Sequence, residues 1–561
     1  MTTVAPKPIE ARPYPVHKPV KGSALARMLR QTDAKQIGIM YGITSFAYFV
    51  IGGVMALLIR AELALPGMQF LSPEQYNQLF TMHGTTMMFL FIVPFLKGLA
   101  TYLLPLQLGS RDFPFPRYNS FNYYCYLFGG LILYSSFLFQ MVPDVGWFAY
   151  VPLSGPEVRP DLAVDFWLFG LVLVEIATIG SALEIIIVIL KLRAPGMSLD
   201  KLPLFAWAML ATAGMVVVAF VPLVVGSTLL ESDRAIGTVF FDDTAGGHPL
   251  LWQHLFWIFG HPEVYVMFLP ATGIISHVVQ VHSRRGIVAY PLVVVAIVVT
   301  AFMSLGLWVH HMYTTGLPPL TLSFFTAASM AIALAAGIQI VAWIATLWAG
   351  RPQLTVPMLY VIGFLITFVL GGVTGVMVAS VPFDEQVHDT FFVVAHFHYV
   401  IIGGVVFPIL AGLYHWMPKF TGRMPSALLG HISFWLVFVG FHVTFFPQHL
   451  IGLWGMPRRV YTFPRGLGLD FANLLSTIGA FVLAAGIVVF TVALVRCWFT
   501  GRPAGPDPWH GDTLEWSTGS PPPRENFMTV PAVADRHPMW GRKPPGDFAP
   551  TMRAAFTDGP V

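Results

Sequence analysis

Apolar residues run in long blocks of about 20 to 30 positions, separated by short polar or Pro/Gly-rich stretches, from about residue 41 to residue 498. A helix needs about 20 predominantly apolar residues to cross a bilayer. The blocks predict about twelve such helices, near 41–61, 80–106, 122–142, 164–192, 204–230, 249–278, 287–310, 320–348, 356–381, 391–415, 427–450 and 471–498. Backbone in lipid must satisfy its own hydrogen bonds, so runs of this length are helices. The strict alternation of a membrane β-barrel is absent. The expected fold is all-α, a polytopic membrane bundle of about twelve helices over residues 38–499. A polar segment at 1–37 and a Pro-rich tail at 500–561 with little regular structure flank it.

Composition agrees. Of 561 residues, 56% are hydrophobic and 11% charged, against about 25% charged in a soluble protein. A net charge of +3 points to no nucleic acid. The only cysteines, Cys125 and Cys497, have no Cys or His neighbour at ligand spacing and read as buried thiols. Residues 1–37 lack the apolar core of a cleavable signal.

Loop charge sets a direction. Arg111 and Arg117, Lys191, Arg193 and Lys201, Arg284 and Arg285, Arg351, Lys419 and Arg423 fall in one alternate set of loops. Glu62, Glu74, Asp144, Glu157, Asp161, Glu231, Asp233, Asp242, Asp243, Asp384 and Glu385 fall in the other. The positive-inside rule makes the first set cytoplasmic, and an even number of spans leaves both termini there.

Several histidines interrupt the apolar runs, among them His83 in the second helix, His261 in the sixth, His310 and His311 ending the seventh, and His396 and His398 in the tenth. Ionisable groups inside a membrane are costly and mark function. Neutral imidazole is the commonest ligand of transition metals and haem. Helix direction places all six in the outer half to middle of the membrane. His396 and His398 project about 200° apart, so they suit two centres flanking one helix. The adjacent His310 and His311 reach a common ion only where the helix ends or distorts. His261 and Tyr265 share a face at i, i+4, which places a phenol beside a candidate ligand.

Eight ordered segments carry a resemblance: TMHGTTMMF (81–89), PLQLGSRDFPFPR (105–117), LKLRAPGM (190–197), QHLFWIFGHPEVY (253–265), WVHHMYTTG (308–316), HDTFFVVAHFHYV (388–400), WMPKFTGR (416–423) and GMPRRVY (455–461). Over roughly 35–500 the chain resembles subunit I of haem–copper oxidases, most closely the A type of cytochrome c oxidase. The resemblance implies two haems, of type A, a copper ion and magnesium. It makes His83 and His398 the axial ligands of a low-spin haem and His396 the proximal ligand of the oxygen-binding haem. His261, His310 and His311 hold the copper, and Tyr265 is the tyrosine linked covalently to His261. His388 and Asp389 match the magnesium site, Arg458 and Arg459 the pair that binds haem propionates, and Arg60 the arginine beside the low-spin haem.

It further implies a proton route entered at Asp112, continued by Asn119 and ending at Glu263. At that depth desolvation favours the neutral acid, which can hand a proton onward. Departures accompany the match. Gln339 stands where a lysine of the second proton route is expected and Ala336 where a threonine is usual, while Ser276 is retained. In the first route Thr101 and Glu184 occupy asparagine positions. The implied activity is reduction of oxygen to water, with proton uptake and pumping, in a bacterial cell membrane. Electrons come from cytochrome c through a subunit II bearing a dinuclear copper centre, and a subunit III is a further expected partner. Quinol oxidase and nitric oxide reductase of the same superfamily are the alternatives, with a haem-free transporter as the non-enzyme reading.

Overall fold

The computed structural model describes residues 22–540. The readings made for 1–21 and 541–561 lie outside them. Twelve long helices occupy the twelve expected positions: α1 (Ala34–Glu62), α2 (Pro73–Leu108), α3 (Pro116–Ser135), α4 (Ala163–Lys191), α5 (Leu204–Ile236), α6 (Pro249–Ser283), α7 (Tyr290–Ser304), α8 (Pro319–Ala349), α9 (Val356–Val378), α10 (Phe391–Thr421), α11 (Ala427–Leu453) and α12 (Asp470–Thr500). Ten of them are long and apolar enough to cross a membrane. The other two are α7, of 15 residues, and α3, whose inner face carries Asn119, Asn122 and a run of tyrosines.

Local chemistry sets the boundaries. Asp33 caps α1 by accepting from the Lys35 N–H at 2.9 Å, which starts that helix earlier than its apolar run. Ser72 and Gln75 form a reciprocal capping box on α2, with Pro73 at the first helical position, an arrangement worth about 1 kcal/mol. Two expected ranges are corrected. The third helix runs 116–135 rather than 122–142, because Pro116 presets the first turn and the Ser136 hydroxyl closes the last by donating to the Leu133 carbonyl at 2.6 Å. The seventh stops at Ser304 rather than 310: Gly306 N–H turns back to the Met303 carbonyl at 2.9 Å, and His310 and His311 lie on a separate 3₁₀ turn, Trp308–Met312.

Helices consecutive in sequence pack as antiparallel pairs, notably α1 with α2, α3 with α4, α5 with α6 and α11 with α12, and α12 returns against α1. On α12, a Cβ on Gly486 would stand 2.7 Å from the Val437 nitrogen of α11, the backbone approach that small residues permit in membrane bundles. The apolar stretches of α2 and α6 are 94% and 89% buried, against 22% for α1 and 28% for α8 and α12. Histidine-bearing α2 and α6 therefore form the interior. Peripheral helices turn residues such as Leu320, Leu334, Trp348 and Phe471 outward, the apolar surface that lipid covers.

Two helices change pitch beside their histidines. α2 is π-helical over Thr86–Ile92, starting three residues after His83, and α10 over Tyr399–Val406, starting at the residue after His398. Such segments cluster at functional sites.

The segment after α12 lies across the Asp112 end of the bundle. Arg502–Pro503 pairs antiparallel with Arg423–Met424. Buried Lys419 donates to the carbonyls of Pro506 (3.1 Å), Thr518 (3.0 Å) and Gly519 (3.2 Å). Buried Glu515 accepts from Gln107 Nε2 at 3.0 Å and Trp416 Nε1 at 3.3 Å. Lys35 Nζ donates to the Arg524 carbonyl at 2.7 Å and Asn526 Oδ1 at 2.9 Å. Hydrogen bonds from a charged donor are worth about 1.5–3 kcal/mol each. Lys419→Met is expected to loosen residues 506–527 by about 2 kcal/mol or more, seen as faster hydrogen exchange and proteolysis there; unchanged protection would contradict that role.

Candidate haem and copper centres

α6 brings His261 to the bundle interior within a continuous helix, just before Pro262, which has no N–H for the preceding turn. The 3₁₀ turn brings His310 and His311 opposite. Ring centroids lie 4.3 Å apart for His261–His310 and His310–His311 and 5.5 Å apart for His261–His311. One ligand nitrogen of each lies within 4.8 Å of those of the other two, and no other group among the described residues meets that test. Ser329 Oγ holds His310 Nδ1 at 2.9 Å, and Trp257 stacks on His311 at 3.9 Å. Both ring nitrogens of His261 and Nε2 of His311 are buried without a protein partner. Unmet nitrogens converging on one point in a dry interior fit a bound transition-metal ion. The Tyr265 ring lies 4.9 Å from that of His261.

α10 carries the next two ligands on opposite faces, as their spacing requires. His396 Nδ1 contacts the Gly371 carbonyl (3.2 Å) and Thr374 Oγ1 (3.1 Å) of α9. A Cβ on Gly375 would stand 3.0 Å from the His396 ring, so glycine there makes room for it. His398 Nδ1 donates to the Val394 carbonyl at 2.8 Å, and its ring stacks on Phe445 at 4.2 Å. On α2, His83 Nδ1 donates to the Gly52 carbonyl of α1 at 2.8 Å. In each case a backbone carbonyl engages Nδ1, which fixes the tautomer and leaves Nε2 as the ligand nitrogen. His83 on α2 and His398 on α10 thus both have Nε2 left over, and His396 has its own left over on the other face of α10. These positions fit one six-coordinate haem between α2 and α10 and a second haem facing the three-histidine cluster.

Above the histidines, Asp389 and Arg459 both adopt left-handed backbone (φ 55° and 62°). Arg458 Nε donates to Asp389 Oδ1 at 2.6 Å, and its backbone N–H to the Asp389 carbonyl at 2.8 Å. Arg459 stands 4.2 Å over the Phe148 ring. Burial pushes the Asp389 carboxyl up, but Arg458, Arg459 and His388 outweigh it and hold it below the ordinary value. Asp384 Oδ2 orients His388 through Nδ1 at 3.0 Å. Arg60 is buried on α1; one nitrogen donates to the Asn473 carbonyl at 2.9 Å, while Nε and the other have no protein partner.

Asp112 lies in the loop between α2 and α3, where burial raises its carboxyl against the partial relief of the Phe113 N–H. Asn119 on α3 is buried with both side-chain atoms unpartnered. Asn122 Nδ2 donates to Glu184 Oε2 on α4 at 3.0 Å. Glu263 is buried with both oxygens unpartnered. Gln339 on α8 is likewise buried and unpartnered, and Ser276 Oγ is already occupied by Trp343 Nε1 at 2.9 Å.

Sequence reading missed several groups. Glu175 on α4 is buried with both oxygens unpartnered and interacts electrostatically with Glu263. Lys97 on α2 is buried. Both were visible as charges inside apolar runs. His282 Nε2 meets His415 Nδ1 at 3.1 Å, and His277 Nε2 lies 3.4 Å from Glu515 Oε1. That cluster depends on residues far apart in the chain and had no local signal.

The family model described as cytochrome C and quinol oxidase polypeptide I matches residues 36–482. The chain is 46% identical over 542 residues, 96% of this chain and 87% of the relative, to a cytochrome c oxidase subunit 1 of Bacillus subtilis. It is 47% identical over 532 residues, 94% of this chain and 91% of the relative, to a probable cytochrome c oxidase subunit 1-alpha of Streptomyces avermitilis. A solved chain from a heme-copper terminal oxidase dimer shares the fold, with a TM-score of 0.72, 19% identity and 84% of each chain covered.

His398→Ala is expected to remove the low-spin haem band while copper stays bound at His261, His310 and His311, as absorbance and copper analysis of the purified complex would report. An intact low-spin band would reject the assignment.

Proposed function

The chain belongs to the cytochrome c and quinol oxidase polypeptide I family, and from that premise we propose how its residues divide the work of a cytochrome c oxidase. It is the catalytic subunit of a respiratory terminal oxidase, a multi-pass bacterial membrane protein that carries haem and copper and acts in a complex with other subunits and cytochrome c. The observation that carries this reading is the convergence of His261, His310 and His311 beside Tyr265, with unmet ring nitrogens on His261 and His311.

When bound, the two haems and the copper carry electrons and provide the place where oxygen is reduced. The remaining roles belong to the chain. His83 and His398 would together hold the low-spin haem, whose chemistry would be electron transfer, and His396 alone would hold the second haem, whose chemistry would be oxygen binding. Tyr265 is placed to supply a proton and an electron at the three-histidine cluster. Its link to His261 accords with the i, i+4 spacing. Arg458 and Arg459 suit propionate carboxylates, since a guanidinium can make paired parallel bonds. Arg60 keeps two nitrogens free for a haem substituent. Haem A is the expected haem type. His388 Nε2 and the Asp389 carboxylate are the donors for magnesium.

Electrons originate on cytochrome c, as the names of the bacterial relatives suggest. They enter through a subunit II with a dinuclear copper centre, because this chain has no paired cysteines for one. Subunit III is a further partner. The Asp112 end faces the cytoplasm, in accord with the basic loops on that side. Protons enter at Asp112, pass Asn119 and reach Glu263, which hands them to the space between His261 and His396.

Glu263→Gln is expected to slow oxygen turnover by about a hundredfold, the scale of a lost proton-transfer group, with haem spectra unchanged. Full turnover would remove Glu263 from the route. Gln339→Met should leave turnover near the parental rate, since an amide carries no proton charge; a collapse of activity would show that the amide itself is required.

A further inference from the structure

Four helices converge between Asp112 and the membrane interior. α1 contributes Tyr41, α2 contributes Lys97 and Thr101 one turn apart, α3 contributes Asn119 and Asn122, and α4 contributes Glu184. All six side chains are buried. Lys97 lies roughly 16 Å along α2 from its Leu108 end, and Glu184 roughly 10 Å along α4 from Lys191. Both are inside the membrane on the side where protons enter.

A cation and an acid at that depth are expensive unless they serve each other. Lys97 Nζ donates to the Tyr41 hydroxyl and stands 4.0 Å over that ring. No carboxylate lies within 4.0 Å of Nζ among the described residues, but Tyr41 packs on Tyr123 and Tyr126 of α3 at 5.0 and 5.2 Å, and Asn122 beside them holds Glu184, so the two charges flank one polar cluster. Glu184 accepts only from Asn122 Nδ2, at 3.0 Å, and its Oε1 has no protein partner. Thr101 Oγ1, Asn122 Oδ1 and both polar atoms of Asn119 are also buried and unpartnered among the described residues. Unmet polar atoms lining a buried space are the demand that ordered water meets. Water bridging these unmet atoms would connect the base to the acid and let them exchange a proton.

We propose that Lys97 and Glu184 form a proton-exchanging pair inside the uptake route, a station between Asp112 and Glu263. The proposal rests on the route assigned above. The pair holds one shared proton either as ammonium with carboxylate or as amine with carboxylic acid. Both forms are neutral overall, so neither leaves a net charge in the membrane. In transfer, the Lys97 ammonium gives its proton to the Glu184 carboxylate, Glu184 releases one toward Glu263, and the Lys97 amine is recharged from the Asp112 side. Bonds to hydrogen are the only ones that change. The charge-carrying side chain missing at Gln339 in the second route thus has a counterpart in the first.

The test uses the purified complex in sealed vesicles, with K97M, E184Q and the double variant beside D112N and E263Q. Oxygen turnover, protons released per electron and the rate of low-spin haem reduction are measured for each. Each single variant is expected to slow turnover about tenfold and to lower the proton ratio, with haem spectra and haem reduction unchanged. The double variant should be no slower than the worse single, because residues acting as a unit are not additive. E184D should recover most of the turnover. Parental turnover and proton ratio in K97M and E184Q, with D112N and E263Q slowed, would overturn the pair and leave the route standing. Multiplying losses in the double variant would overturn it too, as two independent packing defects. Parental behaviour of D112N and E263Q would instead reject the route. A single variant that loses its haem spectrum is replaced by K97Q or E184A, read by the same criteria.

Discussion

An imidazole inside the membrane with a ring nitrogen that no protein group meets is the constraint on which this bundle depends. His83 and His398 spend Nδ1 on carbonyls at 2.8 Å, and His396 spends its own on α9. The donor or acceptor left over has no water to turn to in lipid, and leaving it unsatisfied costs free energy. A metal ion or haem iron would satisfy it. The most buried helices, α2 and α6, carry such histidines because that need is greatest where water is scarcest.

The helices around them are shaped to this demand. α10 serves two centres because residues two apart face opposite ways, and its pitch changes just beyond His398. α2 does the same soon after His83. α7 ends early, so His310 and His311 lie on a tighter turn and converge with His261. At the opposite end, the segment after α12 is tied down by Lys419, Glu515 and Lys35 over the loop that holds Asp112. It therefore lies over the proposed proton entrance.

Much of this was legible in the chain. Twelve apolar runs marked twelve helices because lipid imposes length and internal hydrogen bonding on each. The i, i+2 and i, i+4 spacings of His396, His398, His261 and Tyr265 carried directional information that survives in the fold. Helix ends were less legible. Pro116 and Gly306 act through turn geometry that hydropathy does not register. The pitch changes in α2 and α10 left no pattern, since both segments are apolar throughout. Lys97 and Glu175 were in plain view as charges, but their meaning depends on what other helices set against them. The cluster of Lys97, Tyr41, Asn122 and Glu184 draws on four helices, and only the packed bundle brings them together.

The central claim is that the six imidazoles hold two haems and one copper within this single chain. Pyridine haemochrome analysis with metal quantification on the purified complex tests it most directly. The account predicts two haems and one copper at this subunit, beyond the copper that a partner subunit contributes. One haem, or no copper attributable to this chain, would contradict it.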